Sequence, residues 1–428
     1  MAEPTTPPTD PEILTGTPGV PTFGGWVYDE KDPALQGKRL PRTLLQMATT
    51  HPLIGVALRV ITTTIGDVTW RVAPAKSPGD VLPTEEAVAA ADLLTRAMSG
   101  VSWANVCEEQ AYDVVTLGAG WHEVAYALNA SGDWVWSAME LRRGDTIDQV
   151  VTSRPDGGGD LLYVVQRTQT TQATIPADRL IRTVAAGSRA NPAGVSMLRP
   201  IYESWKAQQN LIKIAAIGLE RTLAGLPVME LPAEVVAAKT ADLAAVKAAY
   251  QSLVSQVKVN EAAGIVIPSE YTSAGNRSGF KLSLLSLAGA KGDSPLPMIQ
   301  FMEGRIAQAL LVQFLLLGAG ASGGTTGSFA LADSHTTMFA RAVGALLGRI
   351  RDAMQREVGR LMELNGVARE AWPKLEPGDI ETRDLAALGA FLDALTKAGV
   401  PVTDPATVAQ LRETAGLPKV GTDAEEAG

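Results

Sequence analysis

Residues 298–366 read MIQFMEGRIAQALLVQFLLLGAGASGGTTGSFALADSHTTMFARAVGALLGRIRDAMQREVGRLMELNG, and their periodicity decides the fold. Ile299, Met302, Ile306, Leu310, Phe314 and Leu317 recur at three- and four-residue steps, which predicts one helix over 298–317. It is nearly charge-free after Arg305, so protein should cover most of its circumference. A loop rich in glycine follows, residues 318–327. A second helix is expected from Asp333, a good N-cap, to Leu364. It carries Phe339, Val343, Leu346, Leu347, Ile350, Met354, Val358, Leu361 and Met362 on one side, and Asn365-Gly366 ends it. Gly344, Gly348 and Gly359 lie inside it. Each costs about 1 kcal/mol against alanine in an exposed helix, so a bend or a close backbone contact is expected at them. Two long helices around a loop, with no catalytic cluster nearby, point to machinery rather than to an enzyme.

The whole chain has 428 residues, 46% of them hydrophobic, enough for two or three domains with real cores. Its formal net charge of −9 argues against a broad basic surface that grips duplex DNA. Cys107 is the one cysteine, so an intramolecular disulfide is excluded and a reducing cytoplasm is expected. No charged-then-apolar leader is read at the start, and the longest apolar run, 307–321, is shorter than the ~20 residues a bilayer needs. The expectation is a soluble protein. His51, His122 and His335 are far apart, which leaves little material for a metal site.

In chain order, residues 1–37 are rich in Pro, Thr and Gly and read as an extended or disordered arm. Helices are expected around 40–65, divided at His51-Pro52. A strand should follow at 67–72, then a helix from Thr84 to Met98 and another, capped by Ser102, to Leu117 and Gly118. From Trp121 the period changes to two, with strands expected at 121–128, 134–140, 146–151, 161–167 and 180–184. Asn191 to Ser196 is a turn before a long helix, 197–224. A strand at 228–232, a helix at 233–257, strands at 264–268 and 280–284, and a short helix at 383–397 complete the reading. Cys107 reads as a packed thiol, His122 as a strand residue, and Trp134 with Trp136 as an aromatic hairpin pair.

Two motifs overlap in the glycine loop. Gly318-Ala319-Gly320-Ala321-Ser322-Gly323 satisfies the dinucleotide fingerprint, and Gly320-Ala321-Ser322-Gly323-Gly324 satisfies the nucleophile elbow. The first should open a helix directly, but the loop runs on through Thr325 and Thr326 to Ser328. The second needs a strand before it and a histidine well after it, and only His335 follows. A dinucleotide-binding or serine-dependent enzyme using residues 318–324 is therefore the alternative reading. Arg341, Arg349, Arg356 and Arg360 fall within about a 100° arc of the second helix. They form either a solvated face paired with Glu357 and Glu363 or a surface for a second subunit or a polyanion.

The order of these parts resembles the portal proteins of tailed bacteriophages, particularly the Mu-like group. His51-Pro52-Leu53-Ile54 with Asp67-Val68-Thr69-Trp70 looks like the family's early helix and tryptophan strand. Trp121-His122-Glu123-Val124 looks like a family strand, and Asn191-Pro192-Ala193-Gly194-Val195-Ser196-Met197-Leu198 like its turn before a long helix. Gln313 to Gly318, the Gly/Thr/Ser loop and Ala330-Leu331-Ala332 look like the stem helix and tunnel loop.

The resemblance implies an α+β portal-type subunit in a homo-oligomeric ring, usually a dodecamer, at one capsid vertex of a virion assembled in the host cytoplasm. It would be a structural protein with no catalytic, cofactor or metal site and no membrane partner. Double-stranded DNA would pass through its channel during packaging and ejection. Partners would be the terminase large subunit, a major capsid or scaffold protein and a head-completion adaptor. The arm would be 1–39, an α/β wing 40–232, a stem helix 233–257, a small β clip 258–297, a second stem helix 298–317, a tunnel loop 318–332, a long kinked wing helix 333–366, and a short helical crown and tail 367–428. Gly320, Ser322, Thr325, Thr326 and Ser328 would line the channel. Lys239, Lys247 and Lys258 would be sparse positive spots toward DNA.

Overall fold

The computed structural model describes residues 21–23, 25–27, 30–76, 82–154, 159–186, 191–224, 226–256, 270–271, 277–278, 281–285, 295–312, 328–378 and 380. The chain forms two compact units, one of residues 1–200 with 307–428 and the other of residues 201–306.

The larger unit begins with β1 (Thr22–Phe23) and β2 (Trp26–Val27), a two-stranded ribbon, followed by α1 (Arg39–Thr50) and α2 (Pro52–Gly66). The two helix axes meet at 92°. His51 makes the corner. Its extended backbone ends α1, and its Nδ1 accepts from the Ile54 amide at 3.4 Å to cap α2, with Pro52 in the first turn where no amide is needed. After β3 (Trp70–Ala73) come α3 (Glu85–Ser99) and α4 (Trp103–Leu117). Thr84 caps α3 through the Ala87 amide, 3.2 Å. Ser102 holds the corresponding position before α4, but its side chain makes no capping hydrogen bond, which corrects the expectation from sequence.

Two antiparallel sheets of three strands follow. In order along the chain the strands are β4 (Ala119–Leu128), β5 (Trp134–Leu141), β6 (Ile147–Thr152), β7 (Leu161–Arg167), β8 (Gln172–Pro176) and β9 (Leu180–Val184). One sheet runs β5-β4-β9, the other β6-β7-β8. Ala119, Trp121, Val150, Val164, Ile175 and Leu180 form one buried cluster drawn from both sheets. Each large side chain so buried contributes roughly 1.5–3 kcal/mol. The sequence reading omitted β8, whose one buried apolar residue is Ile175. It also paired Trp134 with Trp136. Trp136 packs beside Trp103 with ring centroids 5.7 Å apart, while Trp134, at the hairpin end of β5, stays partly exposed.

The smaller unit holds α5 (Tyr202–Ala224), β10 (Leu226–Glu230), α6 (Ala233–Ala237), α7 (Ala241–Gln256), β11 (Glu270–Tyr271), β12 (Arg277–Ser278), β13 (Lys281–Leu285) and most of α8 (Leu296–Ala309). β10 pairs antiparallel with β13, and β11 with β12. Two sequence expectations change here. The single helix over 233–257 is two helices, because Ala238 takes a left-handed backbone, φ 46°, and closes α6. The helix expected over 298–317 stops at Ala309, and Leu311 follows at φ 58°. The strand at 264–268, the helix at 383–397 and most of the loop 318–332 lie outside the described residues.

The larger unit closes with α9 (Ser328–Leu364), 37 residues long, and β14 (Lys374–Pro377), which pairs antiparallel with β3. The helix starts five residues before Asp333, so that residue is not its cap. Phe339, Val343, Leu347, Ile350, Met354, Val358 and Leu361 are buried along one side. Gly359 meets the close contact expected of it, since a Cβ there would lie 2.8 Å from the Trp372 ring, whereas Gly344 and Gly348 have open space. No single helix among the described residues is long and apolar enough to cross a membrane.

The Asn191–Leu198 turn has a physical explanation. Gly118 ends α4 at φ 98°, and the turn packs onto that helix end. Ser196 donates its hydroxyl to the Thr116 carbonyl at 2.7 Å, and the Met197 amide reaches the Val115 carbonyl at 3.1 Å, so two carbonyls left open by the helix terminus are satisfied. A Cβ on Gly118 would sit 2.6 Å from the Val195 nitrogen. Gly118→Ala should therefore lower stability by about 2 kcal/mol or more, from left-handed strain plus the clash. Urea denaturation of the two proteins measures it, and an unchanged midpoint would refute this account of the turn.

Candidate functional site

The arginine face of α9 lies against the β5-β4-β9 sheet and is organised around Glu357. This residue is 1% exposed. Its Oε1 accepts from the Tyr126 hydroxyl at 2.6 Å and from Trp136 Nε1 at 3.0 Å, and Oε2 accepts from Arg360 at 3.2 Å. Burial raises its pKa above the ordinary carboxylate value, while Tyr126, Trp136 and Arg360 pull the other way. Arg360 also donates to the Leu180 carbonyl at 3.0 Å, and Arg356 to the Arg182 carbonyl at 3.3 Å, so α9 is pinned to β9 through backbone acceptors. Glu363 is within 3.6 Å of Arg369 rather than an arginine of the stripe. The solvated-face reading thus fits Arg341, Arg349 and Arg356, which are exposed, and not Arg360 with the buried Glu357.

A cavity of about 480 Å³ opens between this face and the sheets, with Arg182, Thr183, Arg349, Arg356 and Arg360 in its wall beside Asp160 and Asp352. Arg182 comes from β9. Its guanidinium lies 5.5 Å from the centroid of Trp121, its cross-strand neighbour, and donates to the Pro192 carbonyl. Burial and the neighbouring Arg356 charge lower its pKa to about 10. Sequence reasoning missed Arg182 and Thr183. The available signal was an arginine inside an apolar strand, Leu180-Ile181-Arg182-Thr183-Val184.

The remaining sequence candidates are scattered. Gly320, Ser322, Thr325, Thr326 and Lys258 lie outside the described residues. Ser328 opens α9 instead of belonging to a loop. Lys239 is exposed in the link between α6 and α7, and Lys247 on α7 donates to the Val236 carbonyl at 3.0 Å, so the two do not share one helix. His122 is a buried strand residue between Glu109, 2.9 Å, and Gln110, 2.8 Å. Cys107 is buried, and burial raises its thiol to about 12, which leaves it unreactive at neutral pH. Among the described residues no group of three His, Cys, Asp or Glu is placed to hold a metal.

Compared with known proteins, residues 43–417 match the family described as the portal protein of Mu bacteriophage. The chain belongs to that family. That family is one of structural proteins. The fold is similar to a chain solved in the virion of a native gene transfer agent particle, with TM-score 0.56, 14% identity, and 93% of this chain and 97% of that one covered. It is also similar to a chain from the neck of the native particle computed with C12 symmetry, with TM-score 0.54, 15% identity, and 90% and 95% covered. No curated protein matches the sequence. The portal-type α+β fold expected from the sequence is therefore the one observed.

Glu357→Ala would take the shared acceptor from the buried Trp136 and the half-buried Tyr126 and Arg360 and should lower stability by about 3 kcal/mol. Glu357→Gln keeps an acceptor and removes a charge. Because the folded pKa is raised, wild-type stability contributed here falls as pH rises from 4.5 through the folded value. Glu357→Gln should gain on the wild type over that window in denaturation curves taken at successive pH values. A difference that does not vary with pH would show the carboxyl to be unshifted.

Proposed function

We propose that this protein is the subunit of a homo-oligomeric ring, of about twelve copies, at one capsid vertex, and that double-stranded DNA enters and leaves the particle through its channel. The match to the Mu portal family over residues 43–417 carries this reading. The twelve-fold symmetry of the gene transfer agent neck, which contains a chain of similar fold, supports the copy number. In this reading residues 40–232 are the wing, 233–257 and 298–317 the stem, 258–297 the clip, 318–332 the tunnel loop and 367–428 the crown and tail. The clip docks the terminase motor during packaging and a head-completion protein afterwards.

The charge balance suits such a channel. A strongly basic lumen would bind phosphates tightly through counterion release, with affinity rising steeply at low salt. A subunit of net charge −9 with a small, neutral Gly/Thr/Ser loop would let a duplex slide. Lys239 and Lys258 are then weak, transient contacts at most.

Labelling intact particles with an antibody to this chain should give one label per particle, at a single vertex. Label spread over the shell would contradict the assignment. Particles assembled with Lys239→Ala and Lys258→Ala should package DNA faster by a factor of up to about two, with the difference larger at low salt, because a phosphate contact that drags on the duplex is removed. An identical packaging rate would remove these lysines from the channel.

A further inference from the structure

The cavity beside α9 contains more donors than the described residues satisfy. Arg182 Nε and Thr183 Oγ1 are buried without a hydrogen-bond partner among the described residues. Arg349 has no ion-pair partner among them, and Arg356 reaches only a backbone carbonyl. Arg360 is matched by Glu357, and Asp352 by Arg351. That leaves Arg349 and Arg356 without a carboxylate partner among the described residues, with Asp160 elsewhere in the lining. Arg349 and Arg356 are exposed at the cavity, so their charges are open to an oxyanion from outside.

We propose that this pocket receives an acidic side chain of a second copy of the chain, with Arg349 and Arg356 as the clamp. The inference rests on the ring reading and adds to it the chemistry of one contact between neighbours. Two observations favour a carboxylate over a nucleic-acid phosphate. The space is a half-open concavity of about 480 Å³, sized for a side chain or short segment rather than a duplex. Each copy carries 46 Asp and Glu against 37 Lys and Arg, so any neighbour offers carboxylates in excess. Guanidinium groups pair with carboxylates in a two-pronged geometry, which would also fix the rotation between copies.

The test is a high-resolution map of the assembled wild type, with assembly measured for two variants. A carboxylate of the neighbouring copy should lie within salt-bridge distance of Arg349 or Arg356. The double variant Arg349→Glu/Arg356→Glu should need about tenfold or more higher concentration to assemble, and the milder Arg349→Gln/Arg356→Gln should shift in the same direction. Arg341→Glu, on the same stripe but outside the pocket, should assemble within about twofold of wild type. Circular dichroism confirms that each variant is folded. Rings whose pocket holds solvent, nucleic acid or the same copy's own residues would overturn the proposal and leave the ring reading intact. A wild type that never closes into a ring would overturn both.

Discussion

The carboxylate of Glu357 is the constraint on which the arrangement of the larger unit depends. It sits on the buried side of α9 and is shared by a tyrosine from β4, a tryptophan from β5 and an arginine one turn along its own helix. A charge removed from water this completely is stable only when its donors are fixed. The same geometry therefore sets the register of α9 on the sheet, and a slide of one residue would strand the charge. Asn365 fixes the far end of the helix, since its side-chain amide donates to the Trp134 carbonyl and its oxygen accepts from the Trp134 amide.

With α9 held in that register, its arginines are placed rather than merely exposed. Arg356 and Arg360 are anchored on β9 carbonyls, and with Arg349 they edge a cavity whose deeper wall is Arg182 and Thr183. A ring built from one subunit must present two different surfaces that complement each other around the circle. A predominantly acidic chain with one concave arginine cluster supplies a polar version of that complementarity. The apolar side of α9 meanwhile serves the subunit's own core.

What could be read from the sequence followed from local signals. Gly118, the Asn191–Leu198 turn and the alternating strands carry their structure in neighbouring residues, and β7 (Leu161–Arg167) and β9 (Leu180–Val184) fall where the alternation places them. The apolar stripe of α9 likewise placed most of its buried face. Long-range partners were not visible. Glu357 sits one position before the apolar Val358 and read as an ordinary helix-surface acid, because Tyr126 and Trp136 are more than two hundred residues away in the chain. The Ala238 break gave no warning, because alanine is among the strongest helix formers and its left-handed backbone there is imposed by context. Of the arginine site, the stripe on α9 was legible while Arg182, brought by β9, was not. The family resemblance gave the fold without these contacts, because it rests on the order of many weak local motifs rather than on any one contact.

The measurement closest to the central claim is the mass and projected shape of the assembled protein, by native mass spectrometry and negative-stain microscopy. The account predicts a closed ring of about twelve 45.0 kDa subunits with a central hole near the width of a DNA duplex. A compact dimer whose melting temperature rises with a dinucleotide would contradict it and return attention to Gly318, Gly320 and Gly323.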